Sequence, residues 1–194
     1  ERSELQKTMD GLIHAVSAMV EFRDPYTAGH QRRVAQLASA IATEMGLSPW
    51  QVKGVYITGL LHDVGKIIVP AEILSKPGKI SEHEFSIIKN HPRVGFEILE
   101  KMDFPWPAAK AILQHHDRVN GTGYPFGLLN EGIILEAKIL GVADAVEAMS
   151  SHRPYRPALG LDAALREISQ QRGVLYDVRV VDACLRLLKS GAGE

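Results

Sequence analysis

The sequence predicts an all-α fold, one compact helical bundle of about seven helices. Three observations predict it. Apolar residues recur at helical spacing through most of the 194 residues, two capping boxes mark helix starts, and no segment alternates apolar with polar residues as a half-buried strand does. That length suffices for a single domain with a sizeable core.

Taken in order, Leu5, Met9, Leu12, Val16 and Met19 are spaced 4-3-4-3, an a/d seam. Residues 1–22 therefore read as a lead-in helix. It either packs on its own domain or serves as a signalling and dimerisation helix, with 23–194 as the main domain. In "RDPYTAGHQRRVAQLASAIATEMG", Asp24-Pro25 marks a helix start and Gly46 a stop. Ser48, Pro49 and Gln51 then form a capping box with proline at the first helical position, opening a helix expected to run through "VYITGLLHDVGK". "VPAEILSKPGK" reads as a connector. A second box, Ser81 to Glu84, opens "EHEFSIIKNHPRVGFEILEKM", where Pro92 must break or kink the helix. "AAKAILQHHD" and "ILEAKILGVADAVEAMSS" follow as helices. "LDAALREISQQR" and "VRVVDACLRLLKS", parted near Gly173, close the fold with Cys184, Leu185, Leu187 and Leu188 as core.

Composition narrows the function classes. Lys+Arg total 22 against Asp+Glu 23, so the basic excess of a DNA- or RNA-duplex binder is missing. A single cysteine allows no internal disulfide and fits a reducing, cytoplasmic setting. No apolar run nears the roughly 18 residues that span a bilayer, and no signal-peptide pattern opens the chain. The opening "ERSELQ" has no initiator methionine, as expected for an output domain cut from a longer signalling protein.

The chemistry lies in histidines with carboxylate company. "LLHDVGK" places His62 and Asp63 after an apolar stretch, and "GVADAVEAM" embeds Asp144 among alanines and valines. Such groups are costly to bury unless they ligate or pair. Two apolar helices, each with an embedded aspartate, suggest a shared cation. His30, His91, His115 and His116 offer further nitrogen ligands. Imidazole with carboxylate suits iron, manganese, zinc or nickel better than magnesium or calcium. Seven side chains are too many for one ion and fit two, with one carboxylate between them. His14, His83 and His152 read as surface or structural.

These residues resemble an HD-GYP domain, a subgroup of the HD phosphohydrolases. The likeness covers nearly the whole chain after about residue 22. It rests on an ordered set: "HDVGK", "HP" at 91–92, "HH" at 115–116, "NGTGYP" at 120–125, "VADAVEAM", and "RPYR" at 153–156. The resemblance implies a helical HD-domain bundle with a GYP loop and a cyclic di-GMP phosphodiesterase. It implies two divalent transition-metal ions, iron expected, with manganese or nickel as alternatives. His30, His62 and Asp144 match ligands of the first ion, His91, His115 and His116 those of the second, and Asp63 bridges. A hydroxide held between the ions would attack phosphorus in line, giving linear pGpG and, after a second round, GMP. Lys66 matches a lysine facing the substrate phosphate or bound water. Arg153 and Arg156 match phosphate anchors, and Tyr124 and Phe126 can stack on a guanine or pack on a neighbouring helix.

Three positions depart from the family pattern. Where some members carry a glutamate four residues before His30, supporting a third metal, this chain has Tyr26, which favours two ions. "HHD" replaces the usual "HHE", so Asp117 has a shorter reach toward a ligand histidine. Asn120 replaces an aspartate and can hold the same turn. Competing readings are a phosphodiesterase for another cyclic dinucleotide, such as a mixed GMP-AMP ring, and a docking module of low activity. The expected partners are the cyclic dinucleotide, a GGDEF-domain diguanylate cyclase at the GYP loop, and a second copy through the N-terminal helix.

Overall fold

The computed structural model of the chain describes residues 3–24, 27–151 and 158–190. Tyr26, His152, Arg153 and Arg156 lie outside the described residues. Among the described residues there are ten α-helices and no strand: α1 Glu4–Arg23, α2 His30–Glu44, α3 Pro49–Leu61, α4 Ala71–Leu74, α5 Glu82–Ile88, α6 His91–Leu99, α7 Ala108–Gln114, α8 Leu135–Ser150, α9 Leu161–Gln170 and α10 Val178–Ser190. The all-α expectation holds, with more helices than expected because α4 forms inside the connector and the Pro92 segment is two separate helices. Pro92 itself sits in the first turn of α6, where its missing N–H costs nothing.

Both capping boxes form as the sequence predicts. Ser48 caps Gln51 N and Gln51 returns to Ser48 N at 3.0 Å; Ser81 caps Glu84 N and Glu84 returns to Ser81 N at 2.7 Å. Two boundaries differ from expectation. Helix α2 begins at His30 rather than near Asp24-Pro25, and α3 ends at Leu61 rather than continuing to Lys66. From Val64 to Ile68 the chain tightens into a 3-10 turn that packs against α6. The reason is close approach: a Cβ on Gly65 would lie 1.8 Å from His91 O. A continuing α-helix would not bring that backbone into contact with α6.

Helix α2 sits at the centre, packed on α3 and α8. Val34, Ala38, Ile41 and Ala42 join Val55, Leu140, Val142, Ile168, Val181 and Cys184 in the larger core. Leu185, Leu187 and Leu188 are partly buried against it. Ala35, on another face of α2, joins Ile57, Leu60, Leu61, Val64, Leu99 and Ile112. The site lies among the helix ends that these two clusters fix.

The N-terminal helix does two things at once. Ile13, Ser17 and Val20 are buried against the domain, while the seam predicted from sequence faces solvent, with Leu5 73%, Leu12 57% and Met19 60% exposed. The packed row and the exposed row differ by about one position around the helix.

Candidate metal centre

Five segments deliver side chains to one buried place, four of them from helix ends. His30 opens α2, His62 caps α3 with Asp63 following, His91 opens α6, and His115 caps α7 with His116 following. Helix α8 contributes Asp144 from its middle.

Three of the histidines share a local device. His62 Nδ1 donates to Gly59 O at 2.7 Å, His91 Nδ1 to Ile88 O at 2.7 Å, and His115 Nδ1 to Ile112 O at 2.5 Å. Each acceptor is the carbonyl three residues back. A carbonyl only accepts, so each Nδ1 carries a proton, and in the neutral ring the lone pair is on Nε2. All three Nε2 atoms are buried without a hydrogen-bond partner. Burial pushes the His91 pKa down to about 4 and that of His115 to about 3, and holds His116 well below its ordinary value. Neutral imidazoles with unspent lone pairs are what a divalent metal needs.

Asp63 stands between two groups of donors. Its Oδ1 is 3.4 Å from His91 Nε2, whereas Oδ2 is 3.6 Å from His62 Nε2 and 4.0 Å from His30 Nε2. Burial pushes its pKa up, but the Lys66 ammonium at 2.6 Å, with His62 and His91, holds it well below the usual carboxylate range. The groups whose ligand atoms lie within 4.8 Å of one another are His30–His62–Asp144, His91–His115–His116 and His62–Asp63–His115. The donor set fits a divalent first-row ion in each of the first two, with Asp63 placed between them.

His30 behaves differently. Its Nδ1 bonds to Glu147 and its Nε2 lies 3.1 Å from Asp144 Oδ1. Burial lowers its pKa, but the bonds to Asp144 and Glu147 outweigh this and raise it to about 9. Without metal, the bonds to the two carboxylates favour the imidazolium form of His30, and a metal held at Nε2 would take the place of one proton while Nδ1–H stays on Glu147. Glu147 was not singled out from the sequence. It is further held by Arg33 Nε at 2.5 Å and Ser151 Oγ at 2.6 Å. The available signal was its position three residues after Asp144, on the same face of α8.

A pH dependence follows for the metal-free chain. Below the unfolded value of 6.5, the unfolded chain takes protons that buried His91 and His115 refuse, so stability falls as pH drops toward about 4. Above 6.5 the folded chain keeps the His30 proton that the unfolded chain has lost, so stability also falls as pH rises through about 9. Thermal melts in chelator should peak near pH 6.5 and drop on both sides. A flat profile, or one rising steadily through that range, contradicts the assignment.

The GYP loop closes one side. Tyr124 stacks on His116, with ring centroids 4.7 Å apart, and meets Phe85 of α5 edge-on at 6.3 Å. One face of Tyr124 is thus spent on a histidine. Phe126 is exposed beneath the Arg93 guanidinium, 4.9 Å from the ring centroid. Gly123 is required by close approach, since a Cβ there would lie 2.3 Å from His116 O. Asn120 Oδ1 takes Thr122 N at 3.2 Å and Thr122 Oγ1 at 2.7 Å, holding the turn as expected. Asp117 reaches Leu128 N at 3.0 Å on the loop's return arm, so its carboxylate fastens the loop rather than a ligand histidine.

A model of the HD domain family matches residues 14–180. The chain belongs to the HD-domain family. This HD domain is 40% identical over 186 residues to the cyclic di-GMP phosphodiesterase response regulator RpfG of Xanthomonas campestris pv. campestris, covering 95% of the chain and 49% of that protein. It is 39% identical over 189 residues to a cyclic di-GMP phosphodiesterase of Thermotoga maritima, covering 96% of the chain and 51% of that protein. Among solved structures, an HDG"Y"P protein from Bdellovibrio bacteriovorus superposes with a TM-score of 0.69 at 22% identity, covering 82% of this chain and 51% of that one. The superposition shows the helical HD-domain fold. The HD domain spans about half the length of the curated relatives it matches. No helix among the described residues is long and apolar enough to cross a membrane.

Proposed function

We propose that this HD domain is a metal-dependent phosphodiesterase that hydrolyses cyclic di-GMP to linear pGpG and then GMP. The observation that carries the reading is the set of buried, tautomer-fixed histidines whose unpartnered Nε2 atoms surround a carboxylate with one oxygen toward each group. The names of the relatives supply the substrate class.

His30, His62 and Asp144 would hold one ion, His91, His115 and His116 the other, and Asp63 would serve both. Iron is the favoured metal, with manganese or nickel able to fill the same donors. Bound divalent metal supplies Lewis-acid polarisation of the phosphate and lowers the pKa of water, which removes the need for a carboxylate base. Lys66 Nζ, beside Asp63, would stabilise the charge developing on a non-bridging phosphate oxygen or give a proton, through water, to the departing ribose oxygen. Tyr124 lines the cleft wall, and Arg153 and Arg156 anchor phosphate from beyond the described residues. Residues 1–22 serve as an input helix and 23–194 as the phosphohydrolase domain.

Two partner surfaces are part of the proposal. Phe126 and Leu129, exposed on the GYP loop, support docking of a GGDEF-domain partner there. The exposed α1 seam supports pairing with a second copy: Val16 falls at an a position and Leu5 and Leu12 at d, the two-stranded preference, and no charged residue flanks the seam from e or g. Leu12→Asp should shift a wild-type dimer to monomer in sedimentation; an unchanged dimer excludes the seam.

The function is tested by anaerobic reconstitution with iron or manganese and hydrolysis of a panel of cyclic dinucleotides, with products resolved. Cyclic di-GMP consumed to pGpG or GMP, dependent on metal, supports the proposal. Preference for a GMP-AMP ring moves the substrate, and no hydrolysis of any ring by metal-loaded protein overturns the activity.

A further inference from the structure

Helix α2 starts on a metal-ligand candidate yet has no cap of its own. Gly29 at its N-cap brings no side chain, and its first turn holds no acidic residue. The first N–H groups of a helix need acceptors from somewhere. Here they come from another helix. Glu21, in the last turns of α1, accepts Gly29 N through Oε2 at 3.0 Å and Gln31 N through Oε1 at 3.3 Å.

Those two amides flank His30. The carboxylate thus grips the backbone on both sides of the ligand residue and lies at the positive end of the α2 dipole. Glu147 fixes the ring of the same residue from α8, and Arg33, one turn into α2, ties Glu147 back to its own helix. His30 is therefore held twice, by its ring and by its backbone. The same end of α1 also reaches the chain after Asp63, where Arg23 Nη2 donates to Val69 O at 2.9 Å.

We propose that Glu21 is a positioning residue that sets His30 for metal binding and makes the ion held by His30, His62 and Asp144 responsive to α1. Loss of this tertiary cap loosens the first turn of α2 and spreads the His30 donor away from His62 and Asp144. The His91–His115–His116 group is built from α6 and α7 and has no contact with Glu21 among those described, so its ion is untouched. A change at the exposed seam of α1 then reaches one ion and spares the other. The proposal rests on the two-ion reading.

The test is manganese titration of metal-free protein by calorimetry, with wild type, Glu21→Ala, Glu21→Gln and the surface control Glu4→Ala. Wild type and Glu4→Ala should take two equivalents. Glu21→Ala should weaken one equivalent roughly 10- to 100-fold, the range for losing a partner behind a ligand, and leave the other unchanged. Glu21→Gln, which keeps one amide oxygen as acceptor, should fall between. Two unchanged equivalents in Glu21→Ala overturn the proposal alone, as does equal weakening of both with a lowered metal-free Tm, which marks general destabilisation. A wild-type chain that binds fewer than two ions overturns the reading and the proposal together.

Discussion

Asp63→Ala is expected to leave the chain without either metal ion and without turnover. One carboxylate faces both donor groups, with Oδ1 toward His91 and Oδ2 toward His62 and His30. Each group by itself offers three ligand atoms, and the bridging oxygen pair is what neutralises charge between two cations a few ångströms apart. Removing it also takes away the anion that Lys66 pairs with at 2.6 Å. The rate should fall by more than the roughly 10²–10³-fold that loss of a single stabilising donor costs. The fold should persist, since Asp63 lies outside both apolar clusters. Metal analysis and hydrolysis on the variant, with circular dichroism as the folding check, decide it. A variant that keeps its metal and its rate removes Asp63 from the bridging role.

Gly65→Ala is expected to cost more stability than any other small substitution near the site. A methyl there would sit 1.8 Å from His91 O, 2.6 Å from Gly95 N and 2.8 Å from His91 C, all backbone atoms that cannot rotate away. The start of α6 has to retreat, and His91 retreats with it. Overpacking of this kind costs about 3 kcal/mol at the upper end of the usual range, which for a chain of this size lowers Tm by roughly 6–12 °C. The same retreat should weaken metal binding at His91, His115 and His116. A Tm within about 1 °C of wild type, with metal content intact, would show that α6 yields without penalty.

The residues that were legible in sequence are those whose chemistry is local or costly to hide. The boxes at Ser48 and Ser81 could be read because a cap and its partner lie within four residues. The ligand set could be read because an imidazole or a carboxylate inside an apolar run demands a partner, and because ordered motifs matched a family. The boundaries of α2 and α3 were not legible for the opposite reason. The cap of α2 comes from Glu21 on another helix, and α3 stops because Gly65 must touch α6; neither contact has a signature in the adjacent sequence. Beyond its spacing from Asp144, nothing local marks Glu147 on α8; its role depends on the fold bringing His30 against it. The shorter reach of Asp117 implies an altered bond toward a ligand histidine, and the sequence does not say where the carboxylate goes instead: it fastens the return arm of the GYP loop, a contact set by how the loop folds back.

The central claim is a centre of two ions in which Tyr26 supplies no third carboxylate. It is tested most directly by counting metal per chain in protein shown to be active on the cyclic dinucleotide, after anaerobic loading and removal of excess metal. The account predicts two ions per chain, with both required for hydrolysis. Three ions per active chain, or full activity with one, would contradict it.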